Sequence, residues 1–197
     1  QYPEFFGPSQ DEREEATPAD VPDPEPVAIK KELKSGKHIQ VMENQKGISF
    51  EKLFADYLRG AASITIQDPY IRYFYQAKNL SELIQLVIRI KPVGEEVDVK
   101  LVTKRDDSGT SNQEELLNRL QENLEGSGVN FSYVCDESNT LHDRYITTDT
   151  GWKIILGRGL DLFQPYDYKD AFSLPNNIQE ERLCKAFEVT YIRKTET

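Results

Sequence analysis

Three short stretches of this sequence concentrate residue types that handle phosphate or protons. The first is Asp68-Pro69-Tyr70-Ile71-Arg72. Asp68 offers a carboxylate that can take a proton or a cation, and Arg72 offers a planar fork of donors that grips an anion bidentately. The second is His142-Asp143-Arg144, whose imidazole can serve as nucleophile or general acid. The third is Gly157-Arg158-Gly159-Leu160-Asp161. There the glycines let backbone N–H groups approach a ligand closely, and Arg158 adds positive charge. Each stretch also has a plain structural use. Asp-Pro sets turns, a histidine can simply be hydrogen-bonded at a strand end, and glycine pairs reverse chains.

Positioning these residues requires a scaffold, and the sequence patterns supply one. Ser49 is placed to cap a helix whose Phe50, Leu53, Phe54, Tyr57 and Leu58 form one apolar stripe, with Gly60 ending it. Ser63–Gln67 is short and β-branched, so a strand is expected. Residues 76–90 place Leu80, Leu83, Ile84, Val87 and Ile90 on one helical face, and Pro92 stops that helix. Residues 97–103 alternate like a strand. Ser111 with Glu114 forms a capping-box pattern before Leu116, Leu117, Leu120 and Leu124. Residues 129–134 read as the next strand. Residues 144–148 and 152–156, joined by Asp149-Thr150-Gly151, read as a hairpin, and Phe187, Val189 and Tyr191 as a last strand. Strands and helices in this order predict an α/β fold with a mixed sheet flanked by helices. In such folds ligands collect at the carboxyl ends of strands, where all three polar stretches fall.

The 197 residues carry a net charge of −10. Eight acids against Arg13 alone, together with six of the ten prolines, lie in residues 1–29. Residues 1–37 therefore read as an acidic, proline-rich leader with little to bury, and residues 38–197 as the folded domain. Bulk acidity disfavours non-specific nucleic-acid binding but leaves room for a local basic patch. There is no apolar run near 18 residues, so no transmembrane helix is expected. Two cysteines, Cys135 and Cys184, make neither a disulfide framework nor a metal cluster. No metal or cofactor is expected, and the expected compartment is the cytoplasm, with a peripheral place at a membrane as the alternative. The first residues, Gln1-Tyr2-Pro3-Glu4, lack a Met and suggest a fragment of a longer protein.

His142, Arg144 and Asp149 stand at 0, +2 and +7. This resembles the His-x-Lys-x4-Asp signature of the phospholipase D superfamily, with Arg144 in place of the lysine. A wider resemblance covers most of residues 38–197. It rests on Phe50-Glu51-Lys52-Leu53-Phe54 with Tyr57-Leu58, Asp68–Arg72, His142–Arg144, Gly151-Trp152, and Gly157–Asp161 with Phe163. In order and spacing these blocks resemble the phospholipase D-like domain found at the C-terminus of MIT-domain proteins. That resemblance implies a phospholipase D-like sandwich that dimerises, binds phospholipid head groups and does not catalyse. Glu4-Phe5-Phe6-Gly7-Pro8-Ser9, followed by the acidic linker, also resembles the tail of bacterial Lon-related ATPases, which implies an accessory domain of a larger machine.

Phospholipase D chemistry needs two histidines and phosphate-holding lysines. This chain offers one candidate motif, with His142, Arg144 and Asp149 as candidate catalytic residues, and a guanidinium does not place its donors as an ammonium does. The residues expected to bind ligand are Asp68, Tyr70, Arg72, His142, Asp143, Arg144, Arg158 and Asp161. Three functions stay open on sequence: a non-catalytic binding or assembly domain for an anionic, phosphate-bearing ligand or a protein partner; a dimeric phosphodiesterase or nuclease; and a nucleic-acid-binding accessory domain. The aromatic run Tyr70, Tyr73, Phe74 and Tyr75 suits a protein surface or stacked bases.

Overall fold

A computed structural model describes residues 33–138 and 140–194. Residues 1–32 of the expected leader, with its Phe5-Phe6 motif, lie outside the described residues. Its last residues, 33–37, are described, and there Leu33 packs against the core and Lys37 opens the first strand, so the folded unit starts before residue 38. Seven strands form one mixed sheet: β1 (Lys37–Val41), β2 (Ser63–Gln67), β3 (Val97–Lys104), β4 (Val129–Asp136), β5 (Tyr145–Thr148), β6 (Trp152–Leu156) and β7 (Phe187–Arg193). Their order across the sheet is β1-β7-β6-β5-β2-β3-β4. β2, β3 and β4 run parallel, joined by crossovers through α2 (Phe74–Ile90) and α3 (Gln113–Asn123). The remaining pairings are antiparallel. α1 (Phe50–Leu58) precedes β2, and a single short turn of helix, α4 (Leu174–Asn177), lies in the long segment before β7.

Period-two burial fixes which face of the sheet is covered. Ile64, Ile66, Val99, Leu101, Val129, Phe131, Ile146, Ile154, Val189 and Tyr191 are buried. Their neighbours Thr65, Lys100, Ser132, Thr147, Lys153 and Thr190 point the other way and stay exposed or half-exposed. The covering layer is the apolar stripes of the helices. α1 buries Phe50, Leu53, Phe54, Tyr57 and Leu58. Tyr57 stacks on Tyr191 at 4.1 Å and meets the Trp152 edge at 5.0 Å, and Tyr191 Oη donates to the Leu53 carbonyl at 3.0 Å. α2 buries Leu80, Leu83, Ile84, Leu86 and Val87, each side chain stabilising the fold by about 1.5–3 kcal/mol through lost water contact. Among the described residues no helix is long and apolar enough to cross a membrane.

Two local features differ from expectation. The capping box at Ser111 does not form. Ser111 Oγ instead donates to Asp106 Oδ2 at 2.5 Å, and α3 starts after Asn112 without a side-chain cap. β1 is also absent from the predicted elements. Its Lys37, His38 and Gln40 are exposed, so the strand shows little apolar alternation and exists by pairing with β7.

A buried ion pair pins the segment before β7 to α2. Arg182, 2% exposed, donates Nη1 to Glu82 Oε2 at 2.6 Å and Nη2 to Glu82 Oε1 at 2.9 Å. Its Nε donates to the Pro175 carbonyl at 2.6 Å, and its guanidinium lies 4.1 Å from the Tyr166 ring. Lys78 and Gln179 complete the cage around Glu82 at 2.6 and 2.9 Å.

Candidate functional site

The register of β2 against β5 sets Gln67 opposite Tyr145. The residues just beyond that pair, Asp68 and Arg144, therefore emerge side by side at one end of the sheet. β6 pairs with β5 and finishes at Leu156, so the Gly157–Asp161 turn arrives at the same end. The three stretches come from far apart in sequence and converge because of these pairings.

Asp68, 3% exposed, organises the convergence. Oδ1 accepts the Tyr70 N–H at 3.0 Å, and Oδ2 accepts the Leu160 N–H at 3.2 Å. One carboxylate thus bonds its own turn and the turn after β6. Burial pushes the Asp68 carboxyl above its usual range, while the two backbone hydrogen bonds and the nearby Arg144 charge act to lower it. Gly159 adopts φ +64°, a left-handed conformation that suits glycine. A methyl group there would overlap Asp68 Oδ2 and come within 3.0 Å of Arg144 Cδ. Leu160 is held again from the helix side, since Asn79 Nδ2 donates to its carbonyl at 3.1 Å.

A pocket of about 220 Å³ opens among these groups, lined by Asp68, Tyr70, Gln76, Arg144, Arg158 and Asp161 at its polar wall and by Ile71, Asn79 and Leu160. The Arg144 guanidinium lies over the Tyr70 ring at 5.0 Å, a favourable cation–π placement. Arg158 Nε reaches the Asp161 backbone carbonyl at 3.4 Å. The Asp161 carboxylate is taken by Lys185 at 2.7 and 2.8 Å. Among the described residues no carboxylate lies within 4.0 Å of the Arg144 or Arg158 guanidinium, whereas the pairs of Arg182 and Lys185 are closed.

The other expected residues lie elsewhere. Arg72 turns to Asp106, with Nη1 3.9 Å from Oδ1, and its Nε is buried without a partner. Asp106 is held at about 2, principally by hydrogen bonds from Ser108 and Ser111, so it offers Arg72 a permanent negative charge. Gln113 ties this loop down. Its Nε2 donates to the Ile71 and Lys104 carbonyls, both at 2.7 Å, and its Oε1 accepts the Asp106 N–H. His142 is exposed in the loop before β5, so it does not share a strand face with Arg144 as its spacing suggested. Asp143 is exposed and contributes its carbonyl to Gln67 Nε2 at 3.1 Å. Asp149 follows β5 at the opposite end of that strand and accepts the Ala62 N–H at 3.2 Å. At about 3.3 Å per strand residue it is on the order of 15 Å from Arg144. The other histidine, His38, bonds Thr190 on the far edge of the sheet. Among the described residues no group of three or more His, Cys, Asp or Glu is arranged to hold a metal ion.

Gln76, Asn79 and Lys185 are parts of the site that pattern reading did not single out. Asn79 carried a signal: it is a polar side chain on the buried stripe of α2, next to Leu80 and four residues before Leu83.

The family model described as "Phospholipase D-like domain at C-terminus of MIT" matches residues 47–193. The mouse (Mus musculus) MIT domain-containing protein 1 is 33% identical over 136 residues, which cover 68% of this chain and 53% of that protein. The chain thus spans about half the length of that curated relative. Among solved structures, the phosphatidylserine synthase of Haemophilus influenzae Rd KW20 aligns with a TM-score of 0.46 at 13% identity, covering 80% of this chain and 34% of that one.

Proposed function

Since the chain belongs to the family of phospholipase D-like domains at the C-terminus of MIT proteins, we propose that it is a non-catalytic binding domain whose ligand carries a phosphate group. The observation that supports this reading most is the pair of guanidiniums at the pocket, Arg144 and Arg158, without a carboxylate in ion-pair range among the described residues. Asp68 and Gly159 hold the two loops that present these arginines. A phosphate oxygen is an acceptor for several N–H donors at once.

Hydrolysis is disfavoured by geometry. Phosphohistidine chemistry needs an imidazole aimed at the phosphorus, yet His142 stands outside the pocket, and Asp149 is at the other end of β5. The resemblance that motivates a phospholipid head group and the alternative of a nucleic-acid phosphate both present the same anionic group to the same arginines. An accessory role within a larger protein, and pairing of two copies, belong to the same proposal.

Titration of the full chain with inorganic phosphate, followed by amide NMR shifts of residues 68, 70–72 and 157–161, tests the reading. Each arginine–phosphate contact contributes about 1.5–3 kcal/mol, so Arg144→Ala weakens binding roughly tenfold to a hundredfold. Shifts that persist unchanged in Arg144→Ala and Arg158→Ala refute the site. Hydrolysis of a phosphodiester chromogen that disappears in His142→Ala refutes the non-catalytic half.

A further inference from the structure

We propose that the phosphate held at Arg144 and Arg158 belongs to a single-stranded nucleic acid whose neighbouring bases lie on the tyrosines beside the pocket. The inference rests on the phosphate-site reading and adds the ligand class. Tyr70, Tyr73, Phe74 and Tyr75 are 41%, 45%, 47% and 44% exposed, while Phe50, Phe54, Tyr57 and Trp152 are all 5% or less. This fold has room to bury aromatic rings, yet Tyr70 lines the arginine pocket and Tyr73 and Tyr75 both bond its lining residue Gln76, while Phe74 packs on the Tyr168 ring at 5.2 Å.

Their arrangement fits bases better than a bilayer. The Tyr73 and Tyr75 rings are parallel to within 10°, with centroids 6.5 Å apart. Tyr70 lines the pocket itself and already stacks the Arg144 guanidinium. The Tyr75 hydroxyl accepts a hydrogen bond from Nε2 of Gln76, a lining residue, at 3.2 Å. The ring is thereby anchored next to the site. Three of the four rings carry hydroxyls. Insertion among acyl chains would strip water from those hydroxyls, whereas stacking covers ring faces and leaves the edges hydrated. Rings that stack bases beside arginines that hold the backbone are the parts of a sequence-tolerant single-strand site. A net charge of −10 suits a short footprint rather than a long electrostatic track. Two neutralised phosphates give a slope of log K against log salt near −1.4, at about −0.7 per phosphate for single strands.

The test is fluorescence anisotropy of the full chain with a labelled 12-nucleotide single strand. The same sequence as duplex, phosphatidylserine vesicles and inorganic phosphate are run alongside. Tyr73→Ser and Tyr75→Ser change exposed rings, and circular dichroism checks that the fold is kept. The expected result is binding that prefers the single strand over the duplex. Each tyrosine variant weakens it about tenfold, and inorganic phosphate affinity is unchanged in Tyr73→Ser, which leaves the bond between Tyr75 and Gln76 in place. Phosphate binding without single-strand binding overturns this inference and leaves the phosphate site standing, and so does single-strand affinity that ignores both tyrosines. Duplex binding as tight as single-strand binding also overturns it, as does tyrosine-dependent capture by vesicles without oligonucleotide binding. Loss of phosphate binding itself overturns both.

Discussion

Asp68→Asn changes one oxygen for an NH2 group and tests how the site is built. In the native chain the two carboxylate oxygens accept one backbone N–H each, from Tyr70 and from Leu160. An amide has a single oxygen, so one of those N–H groups must face another donor. The Tyr70 bond is local and re-forms as an Asx turn; the Leu160 bond, 92 residues away in sequence, is the one lost. A hydrogen bond to a charged acceptor contributes about 1.5–3 kcal/mol. Part of that is offset because the substitution removes a charge whose burial is unfavourable, as the raised Asp68 pKa indicates. The net loss is about 1–2 kcal/mol, or roughly 3–6 °C in Tm for a domain of this size. Calorimetry reads the stability. Hydrogen exchange reads the cause, with the Leu160 amide exchanging at least about tenfold faster while β3 amides keep their relative protection. Phosphate affinity falls as well, because Arg158 rides on the turn that Leu160 anchors. A variant that melts within 1 °C of the native chain, with an unchanged Leu160 exchange rate, refutes the reasoning.

Arg182→Ala leaves Glu82 with Lys78 and Gln179 only and costs about 3 kcal/mol, the lower end for breaking a buried pair. Glu82→Gln strands the more deeply buried Arg182 and costs about 4; urea unfolding measures both, and losses under 1 kcal/mol refute the assignment. Gly159→Ala forces a side chain into Asp68 at a positive φ, so phosphate binding disappears while the melting curve stays cooperative, as parallel titration and calorimetry show. Acid unfolding tests the pKa shifts. Burial would raise Glu82, but the Arg182 and Lys78 hydrogen bonds outweigh it and hold it below 4.5. The unfolded chain then binds the extra proton, so stability drops as pH falls below about 4.5. Asp106, held at about 2, extends the loss downward from 3.8. Asp68, shifted upward, contributes the opposite slope as pH rises above 3.8. Glu82→Gln is expected to flatten stability against pH between 5 and 3, and an unchanged slope refutes it.

How far the sequence could be read depended on the range of the forces involved. β2, α1, β5 and β6 follow from spacing and local turn chemistry, and the structure places them as those patterns require. β1 carries almost no apolar alternation and depends on a partner some 150 residues away, so no window along the chain reveals it. In the site, the strand-end position of Asp68 and Arg158 was legible because both follow recognisable strands, whereas Arg144, read as the first residue of a strand, lies in the loop just before β5. The diversion of Arg72 to Asp106 was not, since it depends on the loop that Ser108, Ser111 and Gln113 fold around that carboxylate. The His142-x-Arg144-x4-Asp149 spacing is real in sequence, but a four-residue strand separates its members and sends Asp149 to the opposite end of β5.

The pairing of the first strand with the last gives the domain a mechanical character. Lys37 at the start of β1 faces Tyr191 near the end of β7, and the Arg193 N–H donates to Ser35 Oγ at 2.9 Å. The backbone therefore enters and leaves the sheet at one corner. A pull applied through residues 35 and 194 loads the β1–β7 hydrogen bonds one after another, as in opening a zipper, because antiparallel bonds lie across the strands. Such a joint yields at low force, and it does so on the edge remote from the arginine pocket. The domain can shed its outermost strand under tension while the loops gathered around Asp68 keep their grip.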